Sequence, residues 1–295
     1  MSRGPRPVRC AILGRVTDTT AGVVTRKVAI ADPPETIEAN PIHSAEGAAR
    51  LGYAGALVAG IHTYGWATAA VLDLFGDAWL ERGWADVTLR RPVHPGDEII
   101  TTVTQLTPAE ATLSTAKADG TVVLEGTVGL GDASWLGDLE LPVRRTAGPP
   151  PRAETMGRML LESAPVGQDY RPMGVDATAN YVRAWVRTRL EDDDPRWHDG
   201  AHPYLHPAFL AGQMTPLFRH SYLYGPAIHV RTQIQHLTAA HGGQRLAVAA
   251  RLHAAYERKG HHYHESDCMV LGAQGEELMA ERHTGIFKVA ERAGR

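Results

Sequence analysis

Two residues near the start of the chain have the types and the spacing for acid–base chemistry. Glu38 lies five positions before His43, and the Asn40-Pro41 pair between them turns the chain ahead of a helical pattern. A carboxylate and an imidazole held on one turn can share proton transfers. A helix start at Ala59-Gly60-Ile61 follows after a short loop, and unpaired N–H groups at such a start can stabilise an oxyanion. The pattern predicts that these two pieces act on one substrate.

Two helices are expected to position these groups. Ser44 is a good N-cap for a short helix with a small apolar face, and Gly52 would end that helix. The next segment, residues 60–76, is apolar on nearly every side. That pattern is typical of a helix buried on most of its faces. We therefore expect this helix to run through a core, with Tyr64 and Trp66 lining a pocket.

Strands account for most of the remaining first half. Val, Ile and Thr are enriched in runs within residues 10–30, 84–91 and 98–131, as is typical of β-structure. Asp119-Gly120 is a strong signal for a hairpin turn. One buried helix followed by long antiparallel strands predicts an α+β unit whose sheet wraps around a central helix.

The second half of the chain repeats this plan. A Pro-rich, basic stretch from Leu141 to Gly157 predicts a semi-rigid connector. A helical pattern, a Gly-punctuated apolar helix and several strands follow it. Gly60 and Gly212 lie about 150 residues apart, as do Gly96 and Gly243, which matches the length of one domain. We predict two domains, 1–145 and 146–295, related by a pseudo-two-fold axis.

Composition excludes several classes of function. The net charge of -3 and the pI near 6.6 argue against nucleic acid or an anionic membrane as the main partner. No apolar run approaches the roughly 20 residues that span a bilayer, and no apolar segment of a secretory signal follows the basic N-terminus. The two cysteines, Cys10 and Cys268, are too few for a disulfide framework, which favours a reducing, cytoplasmic compartment.

A histidine-rich stretch in the second half raises the question of a metal site. His261, His262 and His264 are followed by Glu265 and Asp267. In an alternating strand, His262 and His264 would share one face, with no third ligand evident. A solvated or cleft-facing strand is favoured, and no metal is expected.

Four elements of the first half resemble the MaoC-like, (R)-specific enoyl-CoA hydratase family. They are Asn40-Pro41-Ile42-His43, the loop Gly52-Tyr53-Ala54-Gly55, the helix start Ala59-Gly60-Ile61 and Arg91-Pro92-Val93-His94-Pro95-Gly96-Asp97. The family pattern is an acidic residue, any residue and Asn-Pro-x-His, then Gly-Phe-x-Gly, His-Gly and Pro-Val-x-x-Gly-Asp. The resemblance implies a double hot-dog fold, in which two antiparallel β-sheets each wrap around a long central helix.

The resemblance also implies a role for each matching residue. Glu38 holds the position of the catalytic aspartate, and His43 matches the catalytic histidine. Asn40 matches the asparagine that shapes the turn, and Gly60 matches the glycine whose N–H binds the thioester oxygen. Thr68 falls where a hydroxyl residue often lies near the water site, although a small core residue is the alternative.

Other features depart from the family or lie outside its motif. Glu38 replaces an aspartate, and Ala59 replaces the histidine usually found before the oxyanion glycine. The second half lacks Asn-Pro-x-His and is similar to the degenerate partner domain of double members, which implies one active site per chain. Arg258 and Lys259 are candidates for contact with a cofactor phosphate, and ordinary exposed residues at a turn are the alternative.

The implied function is that of a lyase acting on an acyl thioester, either hydrating its α,β double bond or removing its β-hydroxyl. Coenzyme A or the phosphopantetheine of an acyl carrier protein would be part of the substrate, with no tightly bound cofactor, and a homodimer is expected. Glu38, Ala59 and the divergent second half leave two alternatives open. One is a hot-dog enzyme repurposed for elimination, isomerisation or cyclisation in specialised metabolism. The other is a non-catalytic subunit that binds acyl thioesters.

Overall fold

The computed structural model describes residues 40–143 and 151–290, together with the backbone of one strand at 23–29. Glu38, Cys10 and the connector residues 144–150 lie outside the described residues, as does the predicted boundary between the domains at 145. That boundary therefore stays a prediction. Within the described part of the chain, no helix combines the length and the apolar character needed to cross a membrane.

Ten strands and seven α-helices make up the described structure. The strands are β1 (Val23–Ala29), β2 (Gly83–Leu89), β3 (Glu98–Thr107), β4 (Glu110–Lys117), β5 (Val122–Leu130), β6 (Met173–Ala177), β7 (Ile228–His236), β8 (Gln244–Arg258), β9 (His261–Leu271) and β10 (Glu277–Lys288). The α-helices are α1 (Ala45–Arg50), α2 (Gly60–Phe75), α3 (Ala78–Arg82), α4 (Ala179–Arg189), α5 (Pro195–His198), α6 (Pro207–Ala211) and α7 (Met214–Ser221). Short 3-10 helices lie at Pro41–His43, Leu136–Asp138 and Leu161–Ser163.

The strand order shows the internal repeat directly. The strands form one sheet in the order β1-β3-β4-β5-β2-β7-β10-β9-β8-β6, with antiparallel pairings throughout. Each half contributes five strands. Counted inward from its own edge of the sheet, each half presents them in the order first, third, fourth, fifth and second along its sequence. A pseudo-two-fold axis therefore passes between β2 and β7, as the repeated plan predicted.

The two halves join into a single sheet at this axis, where separate sheets were expected. Strands β2 and β7 pair from Trp84 opposite Gln235 to Thr88 opposite Arg231. The Arg231 guanidinium donates two hydrogen bonds, of 2.8 and 2.6 Å, to the Asp86 carboxylate across this seam. Such a bidentate pair fixes the register of the two strands.

Helix α2 is the buried helix that the apolar pattern predicted. Ten of its sixteen residues are buried, and Ala67, Ala70 and Val71 pack in a core that also contains Val87 and Ile234. Small side chains let the helix approach the sheet closely. Because β7 residues share this core with the first half, the halves fold around a common apolar interior.

The central helix of the second half differs from the expected single long helix. It is divided at Gly212 into α6 and α7. A continuous helix would need an N–H at residue 216 to bond to the carbonyl of Gly212, and Pro216 has none. The Gln213 side chain instead donates a 2.7 Å hydrogen bond to the carbonyl of Phe209, which satisfies an acceptor at the break.

Candidate active site between the two halves

A cavity of about 290 Å³ lies where the two halves meet. Six lining residues come from the first half and the others from the second. The first half provides Asn40, His43, Ala59, Gly60, Ile61 and His62; the second provides Tyr181, Trp185, Arg189, Ala211, Gly212, Gln213, Thr215, Pro216, Phe218, Arg219, Tyr224, Ala227, Ile228, His229, His264, His283, Gly285 and Ile286. His43 and Gly60, which the sequence placed in one site, thus line the same space.

The turn that carries His43 is fixed to both halves. Asn40 is buried and begins the 3-10 helix, with its Oδ1 facing the N–H of Ile42 at 3.5 Å. Its Nδ2 donates a 2.7 Å hydrogen bond to the carbonyl of Ala227 in the second half. Asn40 therefore holds the turn against the opposite wall of the cavity.

The orientation and the tautomer of the His43 ring follow from one contact. Nδ1 lies 2.7 Å from the carbonyl oxygen of Leu57. A carbonyl only accepts, so Nδ1 carries the proton and Nε2 of the neutral ring carries the lone pair. Burial lowers the pKa of His43; the Leu57 hydrogen bond opposes that shift, and the charge of Arg219 adds to it. His43 is accordingly neutral near pH 7 and able to accept a proton.

Gly47 supports this turn, and sequence reasoning missed it. A Cβ atom built at Gly47 would lie 2.0 Å from the backbone oxygen of Pro41. Only glycine permits helix α1 to pack so closely against the 3-10 helix. The N–H of Gly47 also donates to the Ser44 hydroxyl at 3.0 Å, which confirms Ser44 as the N-cap.

The start of α2 supplies uncapped amides beside the cavity. Ala59 makes no side-chain capping bond, and a helix cannot satisfy its first N–H groups with its own carbonyls. A Cβ at Gly60 would lie 3.1 Å from the Leu89 methyl groups and 3.2 Å from Cβ of His229. Gly60 therefore lets the helix start approach the second half closely. The N–H groups of Gly60 and Ile61 are placed where an oxyanion could bind.

Imidazole rings form much of the opposite wall, and the sequence did not predict this arrangement. The rings of His229 and His283 stack with centroids 4.3 Å apart, and His264 stacks on His283 at 5.6 Å. Burial lowers the pKa of His229 to about 3 and that of His283 to about 4. Glu281, buried behind this wall, has a pKa raised to about 7 by burial. These rings are neutral at physiological pH.

One sequence signal could have found part of this wall. Glu281 and His283 are two residues apart in a strand and so point to the same face. The contribution of His229 could not be read from the sequence, because β7 and β10 are brought together only by the sheet.

The five predicted substrate-binding residues do not line this cavity. Tyr64 is 1% exposed within the core. Trp66 donates its indole N–H to the carbonyl of Leu190 at 2.8 Å. The Thr68 hydroxyl donates to the carbonyl of Gly65 at 2.7 Å. Only the first turn of α2 reaches the cavity, since its later turns enter the core.

The basic pair and most of the histidine run also lie away from the cavity. Arg258 and Lys259 are exposed at the turn between β8 and β9 and do not line the cavity. His261 accepts from the N–H of Ala290 at 3.0 Å, and His262 lies 3.7 Å from Glu257. His264 alone of the three lines the cavity. The placement of His264 agrees with the prediction of a cleft-facing strand.

The fold is similar to that of solved dehydratases. A MaoC-domain dehydratase from Chloroflexus aurantiacus matches with a TM-score of 0.61 and 12% identity over 94% of this chain and 97% of that chain. A Mycobacterium tuberculosis protein described as a double hotdog fold matches with a TM-score of 0.59 and 11% identity over 91% and 97%. The bifunctional dehydratase-cyclase domain in ambruticin biosynthesis gives 0.53 and 15%, over 94% of each chain.

Sequence comparison adds nothing to these structural matches. No protein-family model matches the chain, and no curated protein matches it. The structural neighbours confirm the predicted fold: the chain is an α+β protein with a double hot-dog fold, and MaoC-like dehydratases are among its structural neighbours.

Proposed function

We propose that this protein is a lyase that dehydrates a 3-hydroxyacyl thioester or hydrates the corresponding enoyl thioester. The observation that carries the proposal is the placement of His43 and Gly60 on one cavity. His43 is a neutral imidazole with Nε2 unprotonated, and Gly60 opens a helix whose first amides are uncapped. A base and an oxyanion site are the two groups that enolate chemistry next to a thioester requires.

In the dehydration direction, Nε2 of His43 would accept a proton from the α-carbon. Negative charge then develops on the thioester oxygen, which the N–H groups at the start of α2 would stabilise. When the enolate collapses, the β-carbon–oxygen bond breaks, and a proton must reach the leaving hydroxyl so that it departs as water. The reverse sequence hydrates the double bond through the same groups.

Glu38 remains the proposed partner of His43 in these proton transfers. The resemblance assigns it the position of the family's aspartate, and it lies outside the described residues. The carrier, coenzyme A or an acyl carrier protein, is likewise part of the proposal. The dehydratase descriptions of the structural neighbours support the proposed class of reaction.

A repurposed enzyme is the second candidate, and the polarity of the cavity wall favours it. Arg189, Arg219 and the stacked imidazoles line the space, whereas a plain acyl chain needs an apolar wall. One structural neighbour combines dehydratase and cyclase activity in its description. Mass analysis of the product separates these candidates, because dehydration removes one water, isomerisation and cyclisation preserve mass, and elimination of a different group removes the mass of that group.

The proposal is tested by replacing His43 with glutamine. We expect kcat for dehydration of a 3-hydroxyacyl thioester to fall by about 10²- to 10⁴-fold, the range for loss of a positioned acid–base group. His94→Gln is the matched control. Like the ring of His43, the ring of His94 places Nδ1 beside a backbone carbonyl, here that of Ala56 at 2.8 Å. His94 does not line the cavity, so its variant should keep wild-type activity.

Two results would contradict the proposal. A folded His43→Gln variant with wild-type kcat would exclude the assigned base. A wild-type protein that binds acyl thioesters without converting them in either direction would instead support the non-catalytic subunit.

A further inference from the structure

The cavity wall contains a second group of residues that the proposed dehydration does not use. They are His229 on β7 and the pair Glu281 and His283 on β10, each of which offers one potential ligand atom. One nitrogen from each imidazole and one carboxylate oxygen lie within 4.8 Å of one another. We propose that these three residues bind one divalent transition-metal ion, for which zinc is the test ion.

Unpartnered atoms support the presence of a ligand at this point. Within the described part of the chain, Nε2 of His229 and Oε2 of Glu281 are buried and have no hydrogen-bond partner. Buried polar atoms in proteins are nearly always paired, and a bound ion is one explanation for an exception. A cation would satisfy both atoms at once.

Surrounding contacts orient the ligands as expected for a metal site. Nε2 is the nitrogen of His229 that is buried without a hydrogen-bond partner, and Nδ1 of His283 lies 3.3 Å from Oε1 of Glu281. The Thr232 hydroxyl donates to Oε1 of Glu281 at 2.6 Å. Outer contacts of this kind fix the ring orientation and the carboxylate position in metal sites.

The backbone also makes room for the group. The pairing of β7 with β10 shifts between Thr284 and Gly285, so that His229 faces Gly285. A Cβ at Gly285 would lie 2.6 Å from Nε2 of His264 and 3.2 Å from Nε2 of His283. Glycine at this position leaves space that any side chain would fill.

The donor set indicates the class of metal. Two imidazoles and one carboxylate suit zinc and other first-row transition ions better than magnesium or calcium, which prefer oxygen ligands. Three protein ligands leave a fourth position open, as in catalytic zinc sites. His229 and His283 line the cavity, so that position would face it. The sequence favoured no metal because it offered no third ligand for His262 and His264; the three residues proposed here come from two strands that are separated in the chain.

Zinc binding to chelator-stripped wild-type protein tests the site without any substrate, so the result is independent of the thioester proposal. Calorimetry with ZnCl₂ should show one ion per chain. X-ray absorption should show nitrogen and oxygen ligands at about 2.0–2.2 Å and no sulfur at about 2.3 Å. A wild-type protein that binds no zinc, or binds it through Cys268, would overturn the proposal.

Variants assign the ligands. We expect His283→Ala and Glu281→Gln to weaken zinc binding by more than about 100-fold, and Thr232→Val by about 10-fold as an outer contact. His236→Gln is the control. Like His229, His236 lies on β7 and has a buried Nε2 without a hydrogen-bond partner. Its ring packs against Trp79, with centroids 4.9 Å apart, and it does not belong to the proposed site. Circular dichroism checks that each variant is folded. If a ligand variant misfolds, the milder Thr232→Val variant still tests the site through its predicted effect on zinc affinity. Equal zinc affinity in His283→Ala and His236→Gln would refute the assignment.

Discussion

The two halves share one strand order but begin their central helices differently. In the first half, α2 starts at Gly60 with no side-chain cap and continues unbroken to Phe75. In the second half, the N–H of Ala208 near the start of α6 donates to Nδ1 of His206, and the helix is divided at Gly212. The first arrangement leaves amides free for a ligand, whereas the second satisfies them within the protein.

This difference is consistent with the proposal of one active site in a duplicated fold. The first half keeps the proposed base His43 and an open helix start, both facing the cavity. The second half closes its own helix start and contributes Arg219 and the stacked imidazoles to the opposite wall. We infer that duplication preserved the sheet while the two halves took different parts of a shared site.

After His43→Gln, the largest loss of activity is expected from Gly60→Ala, which alters the open helix start of the first half. The added Cβ would press on Leu89 and His229 and displace the open helix start. Displacement of a reacting group by about 1 Å can cost about 10²-fold in rate, and we expect a loss of kcat on that scale. The measurement is steady-state kinetics on a 3-hydroxyacyl thioester.

Gly225→Ala is the control for this prediction. A Cβ there would lie 3.8 Å from the carbonyl of Phe287, an ordinary contact. Activity of Gly60→Ala within twofold of the wild type would show that the first-half helix start is not used.

Arg219→Gln should give a smaller effect that links the two halves. The Arg219 charge helps to lower the pKa of His43, so its removal should raise that pKa. His43 acts as a base only when neutral, and the acidic limb of the kcat/KM profile should therefore move to higher pH. At pH 6 we expect kcat/KM to fall by less than about tenfold, because solvent screens a partly exposed charge. On the alkaline plateau we expect kcat/KM to stay unchanged.

Arg187→Gln provides the matched control, since Arg187 is exposed on α4 and does not line the cavity. A profile for Arg219→Gln that keeps its acidic limb in place would mean that the second half does not influence the base.

The last prediction concerns the capped helix start, where we expect an effect on stability and the smallest effect on activity. Burial lowers the pKa of His206 to about 3. Between about pH 6.5 and 3 the unfolded state binds a proton at this residue and the folded state does not, so stability falls as pH falls. Asparagine can also cap a helix. Lowering the pH from 7 to 5 should therefore reduce the free energy of unfolding of His206→Asn by about 2 kcal/mol less than it reduces that of the wild type.

Urea unfolding at a series of pH values measures this difference. Above pH 7 the two proteins should show parallel stability curves, which serves as the internal control. The same steepness below pH 6.5 in both proteins would contradict the assigned role of His206.

Local sequence rules predicted the parts of the fold that neighbouring residues determine. Ser44 caps α1, the buried pattern of residues 60–76 forms α2, and Asp119-Gly120 turns the β4–β5 hairpin. The repeated plan also predicted the pseudo-two-fold symmetry that the strand order displays. Each of these signals lies within about one helical turn, one strand or one repeat, where side-chain periodicity carries the information.

The candidate site was predicted only in part, for the same reason. His43, Asn40 and Gly60 line the cavity, because one short turn and one helix start position them. Tyr64, Trp66 and Thr68 point into the core or bond within their own surroundings instead. Periodicity shows that a helix is buried, but it does not show which turn meets a cavity.

The sequence by itself determined a histidine on a proline turn, an open helix start and a doubled α+β fold. Only the tertiary structure decided that β2 and β7 join the halves into one sheet and that His229 meets Glu281 and His283. The register between strands so far apart in the chain depends on the packing of the common core, and no local pattern encodes it.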